Sequence, residues 1–167
     1  MRYNWIFDLD YTLYQYHCTD KKFDYSKLES DPNLKYKIKK LPGKKFLYTN
    51  ANLWHTVDCV KQLKIEKTFH KISCRELSDF KPRTKSFDKF IKLVRLVHED
   101  ICFFFEDNLD NLIKAKKYNW ITIYIGENKE DLLYARQNPD IIDYTFPDIS
   151  EALNYFNYNM VVSNDIS

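Results

Sequence analysis

The chain reads as a three-layer α/β domain on a mostly parallel sheet, and three observations predict it. Short apolar runs fit for buried strands recur along its 167 residues. Segments with apolar side chains at helical spacing alternate with those runs, supplying the crossovers that parallel strands require. Acids, hydroxyls and amides follow several of the runs directly, at the sheet edge where ligands of such folds bind.

The length fits one domain, expected over 1–156, with an irregular insert at 14–43 and a frayed tail at 157–167 rich in Asn, Ser and Asp. Lys plus Arg number 26 against 24 Asp plus Glu, a net charge of +2, so nothing global demands nucleic acid or a membrane. The 44% hydrophobic and 17% aromatic content argues for a globular protein. No apolar run approaches the roughly 20 residues of a membrane helix. The aspartates at 8 and 10 leave no signal-peptide pattern, which makes an intracellular, cytoplasmic protein the expectation. Cys18, Cys59, Cys74 and Cys102 form no CxxC pair, which argues against a zinc site or redox motif and for reduced thiols.

The first strand is expected over 3–8, where Trp5-Ile6-Phe7 runs into Asp8-Leu9-Asp10. Side chains alternate along extended backbone, so the two acids should point the same way into one small volume. Such a pair either shares a proton or holds a cation, for which Mg²⁺ with oxygen ligands is the usual solution. The plain alternative is two turn residues at the surface. The insert carries Lys21-Lys22, Asp31-Pro32 and a short helix with Leu34, Ile38 and Leu41 on one face. Lys35, Lys37, Lys39, Lys40, Lys44 and Lys45 make the insert and its exit basic, either as a solvated helix face or as a rim that steers phosphorylated or polynucleotide substrates.

A second strand, 45–49, ends in Thr49-Asn50, whose hydroxyl and amide can cap the next helix, donate to phosphate, or both. That helix is expected over 52–64, with Leu53, Val57, Val60 and Leu63 near helical spacing. Lys81 precedes Pro82, which suits a first helical position, ahead of a helix over 84–98 with Phe87, Phe90, Ile91, Val94 and Val97. The strand at 101–105 delivers Glu106-Asp107, and Asn111 is spaced to orient Asp107. Asn108 and Asn128 are expected helix caps, Asn138-Pro139 a stop, and 120–125 and 143–146 further strands. With only Gly43 and Gly126, Asn and Asp are expected at left-handed turn positions. His17, His55, His70 and His98 lack metal-ligand spacing and read as surface or packed imidazoles. For His55 the sharper alternative is a flank of the phosphate site, and for Tyr11 and Tyr14 a contact with a substrate base.

In order, Asp8-x-Asp10-x-Thr12, then Thr49, then Lys81, then Glu106-Asp107 resembles the haloacid dehalogenase (HAD) superfamily of phosphotransferases over nearly the whole chain. The spacing from Leu41-Pro42-Gly43-Lys44-Lys45 through Tyr48-Thr49-Asn50-Ala51 to Lys81-Pro82 and Phe105-Glu106-Asp107-Asn108-Leu109-Asp110-Asn111 looks most like its pyrimidine 5′-nucleotidase-like branch. The resemblance implies a HAD-like (Rossmannoid) α/β/α fold with a minimal cap at 14–43, and a Mg²⁺-dependent phosphomonoesterase that forms an aspartyl-phosphate. It implies Asp8 as nucleophile, Asp10 as acid and then base, and Thr49, Asn50 and Lys81 around the phosphoryl group. Asp8, the Asp10 main-chain carbonyl and Asp107 would hold Mg²⁺, with Glu106 and Asn111 in support.

The substrate so implied is a small phosphomonoester, above all a nucleoside 5′-monophosphate, taken by a monomer or homodimer with no membrane partner. The alternatives are a phosphatase for nucleic-acid ends or phosphoproteins and an idle phosphate-binding module. Glu106 stands where this family commonly has Asp, and the insert is smaller than the nucleotidases' cap, which would admit larger substrates or call for a second subunit. A receiver domain also surrounds a phospho-aspartate with Asp, Thr, Lys and Mg²⁺. It would carry its acid pair early and its phosphorylated Asp on a later strand, the reverse of the order here.

Overall fold

A computed structural model describes residues 2–15 and 24–164, excepting the side chains of 161–164. His17, Cys18 and Lys21-Lys22 therefore lie outside the described residues. Among the described residues one sheet of six strands runs β3-β2-β1-β4-β5-β6. These are β1 (Tyr3–Phe7), β2 (Lys44–Tyr48), β3 (Lys71–Ser73), β4 (Ile101–Glu106), β5 (Ile121–Ile125) and β6 (Tyr144–Phe146). All pairings are parallel. The helices α1 (Pro32–Lys40), α2 (Leu53–Gln62), α3 (Arg75–Ser78), α4 (Thr84–Val94), α5 (Leu109–Lys116), α6 (Lys129–Gln137) and α7 (Ile149–Asn164) form the crossovers and the end of the chain.

The central strands are apolar on both faces because both faces are covered. Trp5 and Phe7 of β1, with Phe103 and Phe105 of β4, face a core completed by Ile38 of α1, Cys59 and Val60 of α2, and Leu153 and Phe156 of α7. Ile6, Phe46, Tyr48 and Phe104 face the other way, against Phe87 and Phe90 of α4 and Leu112 of α5. Parallel pairing sets identical faces in register, so rings stack across strands: Trp5 on Phe103 at 4.3 Å and Phe7 on Phe105 at 4.6 Å between centroids. Each such contact contributes about 0.5–1.5 kcal/mol beyond its buried area.

The helix caps at Asn108 and Asn128 form as expected, their side chains accepting from Asn111 N–H and from Glu130 and Asp131 N–H. Three expectations change. The tail expected from 157 is helical to Asn164, because Asn157 is buried and donates to Lys37 O at 3.0 Å, while Met160 packs on the core. Helix α4 stops at Val94, where Arg95 turns left-handed with φ 59°. Asp79 and Asn119 do occupy left-handed positions, but so do Tyr11, Lys64 and Arg95. Among the described residues no helix is long and apolar enough to cross a membrane.

Candidate active site

After β1 the chain builds outward to β2 and β3, then returns to the other flank of β1 as β4. Such a reversal leaves a crevice beyond the carboxyl ends of the two strands. Asp8 follows β1, Glu106 ends β4 and Asp107 follows it. The register Phe7 to Phe105 sets them side by side, with Asp8 N–H donating to Phe105 O at 2.9 Å. One oxygen from each of Asp8, Glu106 and Asp107 lies within 4.8 Å of the others.

Lys81 reaches this crevice from the turn between α3 and α4. Its ammonium donates to Asp8 Oδ1 at 2.7 Å, Glu106 Oε2 at 2.6 Å and Tyr48 O at 2.8 Å, which uses all three hydrogens. The rings of Tyr48 and Phe104 flank it at 5.0 and 5.2 Å. Its side chain is 0% exposed. Pro82 does not begin a helix, since α4 starts at Thr84 behind Arg83. The lysine is held instead by Asn50, whose Oδ1 accepts Lys81 N–H at 2.7 Å and whose Nδ2 donates to Lys81 O at 3.1 Å.

Burial raises the Asp8 carboxyl to about 7, with the Glu106 charge adding to the effect and Lys81 opposing it. Burial likewise raises Glu106 to about 7 against the pull of Lys81, and it raises Asp107. On Lys81 burial acts downward, but Asp8 and Glu106 outweigh it and hold the ammonium above its ordinary range. Three carboxylates against one ammonium leave a formal excess of two negative charges. An oxygen-only donor set with that excess fits a hard divalent cation such as Mg²⁺.

Asp10 does not join this group, which corrects the expectation that both acids fill one volume. The strand ends at Phe7, its alternation ends with it, and Tyr11 is left-handed with φ 59°. The Asp10 carboxylate turns toward α2, where Oδ1 accepts from the Tyr14 hydroxyl and lies 2.7 Å from His55 Nε2. His55 Nδ1 meets the Tyr25 hydroxyl at 3.0 Å, and Cys59 Sγ lies 3.5 Å from His55 Nε2. The hydrogen bond to Asp10, followed by that to Cys59, pushes the His55 imidazole up to about 11.

Several solved structures share this fold. L-2-haloacid dehalogenase from Xanthobacter autotrophicus with chloropropionic acid covalently bound superposes with a TM-score of 0.60 at 14% identity, over 78% of this chain and 62% of that one. A putative HAD-hydrolase from Bacillus subtilis bound to magnesium does so at 0.57 and 16%, over 75% and 52%. A HAD phosphatase from Thermococcus onnurineus gives 0.57 and 17%, over 75% and 57%. The chain has the haloacid dehalogenase-like fold. It spans between 52% and 62% of the length of these HAD-like proteins. No protein-family model and no curated protein matches the sequence.

Within the HAD-like frame the remaining expected residues divide. Thr49 is buried at the end of β2; its Oγ1 accepts Ala51 N–H at 3.0 Å, and its hydroxyl hydrogen can still donate. Asn111 donates to Glu106 Oε2 at 3.0 Å rather than to Asp107. Asp107 is met by the Thr12 hydroxyl at 3.5 Å. Glu106 Oε1 accepts Asn108 N–H at 3.2 Å, so this acid anchors both Lys81 and the start of α5. Three of the basic residues lie away from the site: Lys44 and Lys45 begin β2 at the opposite sheet edge, and Lys37 donates to Ser150 Oγ of α7 at 2.6 Å. Sequence spacing left His55 a minor alternative and missed Tyr25 and Cys59; the usable signal was that His55 and Cys59 share one face of the helix after Thr49.

Proposed function

We propose that the protein is a Mg²⁺-dependent phosphomonoesterase that works through an aspartyl-phosphate, with nucleoside 5′-monophosphates as its favoured substrates. The observation that carries this reading is the buried contact of Lys81 with Asp8 and Glu106 in the crevice between β1 and β4. A carboxylate with a fixed cation on one oxygen has its other oxygen available for attack. A HAD phosphatase among the solved structures of this fold supports the same class.

In this reading the free oxygen of Asp8 attacks phosphorus, and the bond to the leaving oxygen breaks as that oxygen takes a proton from Asp10. His55 Nε2, 2.7 Å from Asp10 Oδ1, supplies Asp10 with that proton beforehand, so the transfer leaves Asp10 as a carboxylate. Asp10 then removes a proton from water, which attacks phosphorus and frees Asp8. Thr49 donates its hydroxyl to a phosphoryl oxygen. Asn50 acts first by holding Lys81, with one amide hydrogen left for the phosphoryl group. Lys81 offsets charge on Asp8 and on the transferring group. Mg²⁺, held by Asp8, Asp107 and the Asp10 main-chain carbonyl, would neutralise phosphoryl oxygens.

Tyr11 and Trp54, 44% and 79% exposed, adjoin Asp10 and His55 in the chain and offer rings on which a base can stack, which supports a nucleotide. The cap role of 14–43 belongs to this proposal, with α1 excluded from it because Leu34 and Ile38 anchor that helix in the core. A limited cover keeps larger phosphorylated ends in play as the second reading, and action in the cytoplasm as a monomer or homodimer completes it. The test is Mg²⁺-dependent phosphate release from nucleoside monophosphates, sugar phosphates and end-phosphorylated oligonucleotides by wild type and Asp8→Asn. Turnover in wild type that falls on the order of 10⁴-fold or more in the variant is expected. Full turnover by Asp8→Asn would sink the mechanism, and preference for oligonucleotide ends would replace the substrate.

A further inference from the structure

Among the described residues two groups of ligand atoms flank the end of β1, and their chemistry differs. Asp8, Glu106 and Asp107 offer oxygen alone, whereas Asp10, His55 and Cys59 offer oxygen, nitrogen and sulfur, again all within 4.8 Å of one another. His55 and Cys59 stand four residues apart on α2, hence on one helical face. Their Sγ to Nε2 distance is 3.5 Å. Tetrahedral zinc, with Zn–S about 2.3 Å and Zn–N about 2.0 Å, sets those atoms roughly 3.5 Å apart.

Asp10 Oδ1, at 2.7 Å from His55 Nε2, must draw back by roughly half an ångström to fit the same polyhedron, a small shift for a side chain outside a strand. The second imidazole nitrogen of His55 already meets the Tyr25 hydroxyl at 3.0 Å, the kind of outer partner that orients ligating histidines. The Tyr14 hydroxyl touches all three donors, lying 3.3 Å from His55 Nε2 and 3.5 Å from Cys59 Sγ. It marks the middle of the group and moves aside or takes a fourth position. The two sequence segments lie 45 residues apart, so no ligand motif is visible along the chain.

We propose that Asp10, His55 and Cys59 form a site for a borderline-soft divalent cation, zinc above all, separate from the oxygen-lined Mg²⁺ group, and that its occupation withdraws Asp10 from turnover. Binding forms bonds from the cation to Asp10 oxygen, His55 nitrogen and Cys59 sulfur and releases the thiol and imidazolium protons to solvent, with no change of oxidation state. Mg²⁺ does not compete, because nitrogen and sulfur donors suit it poorly. The site stands on geometry, while its effect on turnover rests on the phosphatase reading.

Co²⁺ is the probe, titrated into the full chain in excess Mg²⁺. A single Co²⁺ per chain with near-ultraviolet thiolate-to-cobalt absorption is expected. Cys59→Ser should abolish that absorption and weaken binding by about 100-fold or more, since even outer partners of a ligand act on that scale. Cys59→Ala serves if the serine variant does not fold, and His55→Gln should weaken binding and shift the visible bands. Absence of thiolate absorption in wild type, or its survival in Cys59→Ser, overturns the site. In the activity arm, Zn²⁺ should inhibit wild-type phosphate release in a way that excess Mg²⁺ does not relieve and Cys59→Ser does. Inhibition reversed by Mg²⁺ overturns the regulatory half. Protein that shows the thiolate band but releases no phosphate would sink the phosphatase reading and leave the metal site standing.

Discussion

Lys81 and Asp10 do opposite things with their partners, and both can be tested one side chain at a time. Lys81 is fixed by two carboxylates and a carbonyl, so Glu106→Gln keeps an oxygen in place and removes half of the balancing charge. Turnover should fall by up to about 100-fold, the scale of a misplaced catalytic group, with little change in folding. Asp10 is held through one oxygen by Tyr14 and His55. Tyr14→Phe and His55→Gln should therefore slow hydrolysis of alkyl phosphates, which need a proton on the leaving oxygen, by about 10-fold or more. Aryl phosphates with good leaving groups should barely respond, and equal losses on both would reduce the pair to a structural role. The positions of Asp8, Thr49 and Glu106 were legible in the sequence because each stands at or beside the end of a strand, whereas Lys81 sits in the turn between α3 and α4 and is held there by Asn50. The swing of Asp10 to His55 was not, because it depends on where β1 stops and on the left-handed turn at Tyr11.

The longer helices and strands announced themselves through periodicity and caps, whereas β3 and the four-residue α3 did not. Lys71-Ile72-Ser73 is too short to show alternation, and it exists through its pairing with β2 rather than through propensity. The junction of α1 and β2 is the opposite case, where one residue type is required. Gly43 has φ 83°, and a Cβ there would strike the Tyr3 carbonyl oxygen of the neighbouring strand. Gly43→Ala should cost about 1–3 kcal/mol in urea denaturation. Because Gly43 lies at the edge of the sheet away from Asp8, the folded fraction should keep its full turnover. Helix α7 exceeds its expected length for a reason invisible in local composition: Asn157 is polar, yet it is held by the backbone of α1, an element 120 residues away.

For the molecule as a whole, the acid cluster sets how stability depends on pH and on metal. Folding raises Asp8 from 3.8, and Glu106 from 4.5, to about 7. Between those limits the folded state holds protons that the unfolded chain has released, so this contribution to stability falls as pH rises from about 4 to about 7 and then levels. Lys81, shifted upward, adds stability that is lost only at pH above its ordinary range. A divalent cation favours the ionised carboxylates, so Mg²⁺ should raise the melting temperature more at about pH 8 than at about pH 5. Equal shifts at both would mean that the cation binds elsewhere. The sheet order also imposes a schedule on synthesis. Asp8 is made well before Asp107, and β1 is completed on one side by β4, whose Tyr3-to-Ile101 pairing spans almost a hundred residues. Until Asp107 has left the ribosome Asp8 has neither β4 nor its fellow acids beside it, so nascent chains shorter than this expose an aromatic strand edge of the kind that favours aggregation.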